Sequence, residues 1–252
     1  LIARNLARVS ATGLEVTKVG AGDRRVVFVH GVLDRGRSFN RVAGKLDGAC
    51  HMEWYDRRGY GRSRELPGAP AAIDCHIDDL IAVLDQRPAV LMAHSFGGVT
   101  ALGAAVCIPE LVEAVVLYET SIAWSPGWDD DGMSAIYAAA DPEGVALRVM
   151  LGAAAYEQMD DDERAWRRIE ARAFLTEEHS VRGQVPYEVG RVTAPVVYGH
   201  GDEIVMPKVI EFLAGDIDNF EVVRIPGAGH NAHRTHPDEL AALVRSALVR
   251  SA

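Results

Sequence analysis

The chain has 252 residues, 48% of them hydrophobic and 25% charged, enough to bury the core of one large domain without disulfide or metal staples. Its 36 acidic against 26 basic side chains give a formal net charge of −10. That argues against a surface that tracks phosphate backbones, and the densest basic cluster, Arg57, Arg58, Arg62 and Arg64, is interleaved with glycines. Three widely spaced cysteines, Cys50, Cys75 and Cys107, argue against a disulfide framework and against a clustered zinc site.

No apolar stretch approaches the roughly 18–20 residues of a membrane span, and none sits behind a basic N-terminus as in a signal peptide. A soluble, cytoplasmic protein is the expectation, although a chain starting at Leu1 is also compatible with a trimmed leader. In chain order, residues 7–10 and 14–19 around Thr12-Gly13 read as an antiparallel hairpin at a sheet edge. Apolar, β-branched runs then follow at 25–31 (RVVFVHG), 52–56 (MEWYD), 89–95 (AVLMAHS), 113–119 (EAVVLYE), 194–201 (APVVYGHG) and 220–227 (FEVVRIPG). Such near-continuous apolarity marks strands buried on both faces. Helical spacing appears between them, at 71–86 (Ile73, Ile77, Leu80, Ile81, Leu84), 99–107, 207–213 and 237–249. The alternation predicts an α/β fold with a mainly parallel sheet of about eight strands and helices on both faces.

The alternation lapses between about Ser121 and Gly190, where Trp166, Ile169 and Ala173 keep helical rather than strand spacing. The expected organisation is a core of residues 1–120 and 190–252 with a helical cap at 121–189, over the sheet edge where ligands bind in open α/β folds. The acidic triplets 129–131 and 160–162 read as solvated turns and helix N-termini, favoured there by the helix dipole. No glycine-rich segment fits a dinucleotide or phosphate loop, so no cofactor is expected.

The most informative segment is Ala93-His94-Ser95-Phe96-Gly97-Gly98, between an apolar strand and a helix of small residues. A serine at the tip of a sharp strand-to-helix turn requires small residues two before and two after it, and Ala93 and Gly97 supply them. Ser95 would then be exposed at a helix N-terminus, with the Phe96 amide facing any oxygen that becomes negative after attack. A serine hydroxyl needs a base, and the base needs a carboxylate to fix its tautomer. Asp202 in Gly199-His200-Gly201-Asp202 and His230 in Gly227-Ala228-Gly229-His230 each follow a strand, so both would rise at the edge that carries Ser95. Glu119, ending the EAVVLYE strand, is a rival acid, and Asp202 could instead cap the helix that starts near Pro207.

Together these segments resemble the α/β-hydrolase superfamily over the whole chain apart from the cap. His30-Gly31 is similar to its oxyanion loop, 56–63 (DRRGYGRS) to its D-x-R-G-x-G-x-S segment, and 94–98 (HSFGG) to its nucleophile elbow. Gly199-x-x-Asp202 and Gly229-His230 are similar to its acid and histidine loops; Ala93 stands where the family pattern has glycine. The resemblance implies a nucleophile at Ser95, a general base at His230, an orienting acid at Asp202, and an oxyanion hole from the amides of Val32 and Phe96. It implies a serine hydrolase acting on an ester, thioester or related acyl bond of a small molecule. A carbon–carbon bond hydrolase, a cofactor-free perhydrolase or a slow-turnover ligand receptor would use the same three residues. Trp124, Trp128, Met133, Tyr137 and Tyr156 are candidates for a substrate pocket under the cap, with the insertion's own core as the plainer role. Arg35 and Arg37 follow the oxyanion loop closely enough to meet an anionic group of a substrate. His30, His94, Arg57 and Arg58 read as structural braces. His230-x-x-His233-x-x-His236 lacks matching cysteine or carboxylate spacing, so no metal is expected. Neither a nucleic-acid partner nor a membrane span is expected, and no long heptad or exposed apolar stripe announces an oligomer.

Overall fold

A computed structural model describes residues 12–204 and 206–250, together with the backbone of residues 5–8. The strands are β1 (Asn5–Arg8), β2 (Glu15–Val19), β3 (Arg25–Val29), β4 (His51–Tyr55), β5 (Ala89–His94), β6 (Val112–Tyr118), β7 (Val196–His200) and β8 (Phe220–Arg224). They form one sheet in the order β1-β2-β4-β3-β5-β6-β7-β8. β1 and β2 pair antiparallel at the edge, β2 also runs antiparallel to β4, and all remaining pairs are parallel. The expected edge hairpin is therefore present, while residues 9–11 of it lie outside the described residues.

The helices are α1 (Asn40–Lys45), α2 (Ile73–Leu84), α3 (Gly97–Cys107), α4 (Asp130–Ala138), α5 (Pro142–Leu151), α6 (Ala153–Glu157), α7 (Asp161–Val181), α8 (Pro207–Asp216), α9 (Ala232–Thr235) and α10 (Pro237–Arg250). Alternate residues of each central strand face opposite sides, so the sheet is packed on both. Val27 and Val29 of β3 belong to the apolar cluster on one face, together with Leu80 of α2, Leu102 of α3 and Leu213 of α8. Val26 and Phe28 belong to the cluster on the other face, with Val42 of α1 and Val244 of α10. β3 and β5 are buried at every residue, which is why their sequences lack alternation. The short α1, which the sequence did not announce, seats Val42 and Ala43 on that second face.

Between β6 and β7 the described residues hold only helices, α4 to α7 and a short 3-10 turn. The acidic triplets open two of them: Asp129 Oδ1 accepts from the Gly132 amide at 2.9 Å, and Asp160 Oδ1 from the Glu163 amide at 2.7 Å. The 21-residue α7 docks on the core through carboxylates that a surface helix would keep in water. Glu177 is fully buried and accepts from Arg57 Nη1 at 2.5 Å and from the Tyr60 hydroxyl. Glu170, one heptad earlier and equally buried, accepts from the Gly61 amide at 3.0 Å and from Arg167 at 3.1 Å. Burial pushes both carboxyls upward, opposed at Glu177 by Arg57 and at Glu170 by the Gly61 amide. The 57–61 loop of the core is thus the seat of α7. Arg58 braces the same loop against Asp79 at 2.8 Å. No helix among the described residues is long and apolar enough to cross a membrane.

Candidate active site

β5 runs out at His94, and the chain reverses into α3 within three residues. Ser95, at the turn, has φ of 53°, a left-handed conformation that strains a residue with a side chain. Two bonds hold the strain: the Ser95 amide donates to the Tyr118 carbonyl at 2.9 Å, and the Gly98 amide to the Ser95 carbonyl at 3.0 Å. The turn closes because its neighbours lack side chains. A Cβ on Gly97 would stand 2.5 Å from the His30 carbonyl oxygen and 2.6 Å from that of Val29, and one on Gly31 would stand 2.8 Å from Ser95 Cβ. The oxyanion-loop strand and the elbow are thereby pressed together.

His230 reaches the elbow from the loop after β8. Its Nε2 lies 3.1 Å from Ser95 Oγ, within hydrogen-bond reach, so the hydroxyl can donate to that nitrogen. Ser95 is 6% exposed, whereas the imidazole of His230 is 34% exposed and open to water. The loop is fixed from below: the Tyr118 hydroxyl donates to the Gly229 carbonyl at 2.9 Å, and His94 Nε2 donates to the His230 carbonyl at 2.8 Å. Burial and the neighbouring His233 and His230 hold His94 well below the usual histidine range, so it serves as a neutral donor.

At the acid position the geometry departs from the sequence-based expectation. Asp202 is turned outward: Oδ1 accepts from Arg224 at 2.8 Å and Oδ2 from the Gly227 amide at 2.9 Å. The side chain is 44% exposed. The carboxylate beside His230 is that of Glu119, whose Oε2 lies 3.9 Å from His230 Nδ1, beyond a hydrogen bond and inside ion-pair range. Glu119 stands at the end of β6 with φ of 47°, is 1% exposed, and its Oε1 accepts from the Gly201 amide at 2.9 Å. The turn after β7 thus contributes a backbone amide to the acid, where the sequence suggested a side chain.

Three of the remaining expected site residues, Trp128, Met133 and Tyr137, share an apolar cluster with Val32. Its side chain packs against the apolar cluster of Met133, Ile136, Phe174 and Leu175, which Trp128 and Tyr137 also join. Phe96 meets Phe174 edge to face at 6.5 Å between ring centroids, so the helical segment lies directly over the elbow. Trp128 Nε1 donates to Glu178 at 3.2 Å, and the Tyr137 hydroxyl lies 2.5 Å from the other oxygen of that carboxylate. Trp124 packs on Tyr187 and, with Trp128, lines a cavity of about 400 Å³. Tyr156 lies apart from these, in a second small cluster with Leu33, Leu147 and Ala171.

His233 and His236 do not join His230 as a ligand set. His236 Nδ1 is bonded to the Thr235 hydroxyl at 2.9 Å. His233 Nε2 faces Asp34 at 3.2 Å, and Asp34, His233 and His94 bring donor atoms within 4.8 Å of one another. The Asp34 carboxylate is also held by Ser38 at 2.9 Å and by Arg234. Burial works to raise its pKa, and the hydrogen bond and charge of His233 outweigh it, leaving the carboxyl well below the ordinary range. Asp34, which the sequence reading passed over, thus ties the loop after β3 to His233 and Arg234 of α9, with the His94 ring 4.4 Å from that of His233.

Similarity to known proteins follows the same outline. Lipase LipV of Mycobacterium tuberculosis is 37% identical over 114 residues, 44% of this chain and 42% of LipV. Polyketide synthase ThaQ of Burkholderia thailandensis is 30% identical over 247 residues, which cover 88% of this chain but 12% of the synthase. The chain therefore spans well under half of either relative. Among solved structures, a thermophilic esterase from Thermogutta terrifontis superposes with a TM-score of 0.72 at 18% identity, covering 100% of this chain and 99% of the esterase. The thioesterase domain from the curacin biosynthetic pathway gives a TM-score of 0.70 at 16% identity, over 97% of this chain and 99% of the domain. Likeness at that level of identity speaks to the fold. The family description matches residues 26–243, and on that match the chain belongs to the alpha/beta hydrolase family.

Proposed function

We propose that this chain hydrolyses an ester or thioester of a small acyl compound through Ser95, His230 and Glu119, under a cap formed by the helices between β6 and β7. The observation that carries this reading is the 3.1 Å approach of His230 Nε2 to the hydroxyl of a strained, left-handed serine. Ser95 Oγ attacks the acyl carbonyl while His230 Nε2 takes its proton, and the amides of Val32 and Phe96 hold the oxyanion. The bond to the leaving oxygen or sulfur then breaks, and that atom takes the proton from His230. A water, deprotonated by the same imidazole, attacks the acyl-enzyme; the acid leaves and Ser95 is restored. Glu119 keeps the His230 proton on Nδ1 and stabilises the imidazolium, with its own second oxygen tied to the Gly201 amide. The role given to Asp202 by sequence passes to Glu119 in this reading.

The names of the relatives and neighbours, a lipase, a polyketide synthase, an esterase and a thioesterase domain, span several bond types. A serine at the elbow supports an acyl-enzyme, since it is the residue that forms an ester intermediate and returns it to water. A fluorophosphonate probe is expected to label the wild-type chain at Ser95. Ser95→Ala is expected to stay folded, lose the label, and hydrolyse a nitrophenyl ester about ten thousand-fold more slowly or worse. Unchanged hydrolysis by that variant would overturn the mechanism.

A further inference from the structure

A cavity of about 420 Å³ opens beside the oxyanion loop, and five arginines line it: Arg35, Arg37, Arg41, Arg167 and Arg234. On a chain with a net charge of −10 this is a local reversal of sign, built from residues 35–41 together with Arg167 and Arg234, which are distant in sequence. The carboxylates bonded to these five guanidiniums are two. Asp34 takes Arg234, while Glu170 is shared by Arg35 at 3.5 Å and Arg167 at 3.1 Å. Glu163, a turn earlier on α7, acts on Arg167 only through space. Three positive charges are left in excess of the bonded carboxylates.

Four of the arginines are held by bonds or ring contacts, while Arg37 is exposed. Arg35 and Arg167 each lie 4.3 Å from the ring centroid of Trp166, and Arg167 Nη1 donates to the Leu33 carbonyl at 2.9 Å. Arg41 Nη1 donates to the Arg234 carbonyl at 2.6 Å. Arg167 Nε is buried without a partner among the described residues, and the Arg37 guanidinium has no bonded partner among them. Burial pulls the Arg167 pKa down, with the Glu170 charge opposing it and the Arg35 charge adding to it, so an arriving anion would relieve a cost already present. Planar guanidiniums in such an array suit the oxygens of a phosphate or phosphodiester.

Position links the cavity to the chemistry. Its wall begins at Leu33 and Asp34, directly after Val32, and Leu33 is itself held at φ of 53°. Leu33 and Asp34 follow directly on Val32, so the cavity adjoins the loop whose amide is proposed above to hold the oxyanion. We propose that this arginine-lined cavity binds the phosphate of a phosphorylated acyl substrate, whether carried on the leaving group or on the acyl chain. The proposal rests on the acyl-hydrolase reading of Ser95 and His230.

Two substrate pairs distinguish the sources. The first is an acyl-coenzyme A against the same acyl group on N-acetylcysteamine; the second is a nitrophenyl ester with a terminal phosphonate against its uncharged counterpart. The wild-type chain is expected to favour the phosphorylated member of one pair by about ten-fold or more in kcat/KM. The ratio is expected to fall to near one in Arg37→Ser/Arg41→Ser, and in Arg37→Glu, which removes no bonded contact. Ratios near one in both pairs for the wild type, or ratios unmoved by either variant, would overturn the proposal. Calorimetry with inorganic pyrophosphate separates its failure from that of the hydrolase reading. If no ester or thioester is turned over, binding by the wild type and its loss in Arg37→Glu uphold the cavity as an anion site. Equal binding by both chains, or none by either, removes it.

Discussion

Replacing Glu119 by Gln tests the most specific electrostatic statement made above. The amide keeps an oxygen to accept from the Gly201 amide, now at 2.9 Å from Oε1, so the buried turn retains its bond. What disappears is a negative charge 3.9 Å from His230 Nδ1. At that separation, with an effective dielectric of about 20, the attraction to a forming imidazolium is about 4 kcal/mol. Since the imidazolium develops in the transition state, the loss falls on kcat and corresponds to about a thousand-fold. The same exchange at Asp202, whose carboxylate is 44% exposed and paired with a 62% exposed Arg224, is expected to change the rate by no more than about two-fold. The assay is kcat and KM on a neutral nitrophenyl ester for wild type, Glu119→Gln and Asp202→Asn, with far-ultraviolet circular dichroism to confirm folding. A thousand-fold loss in Asp202→Asn together with near-wild-type Glu119→Gln would refute the reasoning and return the acid to the turn after β7.

Acid should destabilise the chain well above the carboxylate range. Burial and the Arg57 charge hold His30 down to about 4, and burial holds His76 and His94 well below 6.5, so these imidazoles stay neutral while the unfolded chain protonates. A depressed histidine favours the fold above its unfolded pKa and loses that contribution as pH drops toward the folded value. Unfolding free energies from urea titrations are therefore expected to fall between about pH 6.5 and 4, by up to about 1.4 kcal/mol per pH unit for each histidine, and a flat profile from pH 7 to 5 would count against it. Glu177→Gln leaves Arg57 buried without its counter-charge and should cost about 3–5 kcal/mol in urea unfolding, whereas Arg57→Met/Glu177→Leu should recover much of that loss. A single variant as stable as wild type would show that the pair is not holding α7 to the core.

The sheet was readable because its central strands are buried on both faces and carry apolar residues without interruption, as 89–94 and 112–118 do. The elbow was readable because its demands are local: Gly97 must clear two backbone oxygens, and no other residue can. Which carboxylate lies beside His230 was not, because Glu119 and Asp202 both follow strands at the same edge, and only the direction in which the Asp202 side chain turns separates them. That direction comes from the Gly227 amide and Arg224, which draw Asp202 outward from another strand. Nor could Glu170, Glu177 and Glu178 be told from solvent-facing residues on a polar helix, since their partners, Arg57, Tyr60, Trp128 and Tyr137, lie far away in sequence. The arginine cavity was glimpsed in Arg35 and Arg37, but Arg41, Arg167 and Arg234 arrive from three separate helices.

Because α7 is anchored to the 57–61 loop by Glu170 and Glu177, the work of attachment is done by residues that do not line the apolar roof above the elbow. Met133 and Ile136 can consequently be exchanged for larger or smaller side chains while the carboxylate contacts that seat α7 stay intact, whereas Trp128 is itself bonded to the buried Glu178. A library confined to Met133 and Ile136 is a route to new acyl preferences in which tethering and selectivity vary independently.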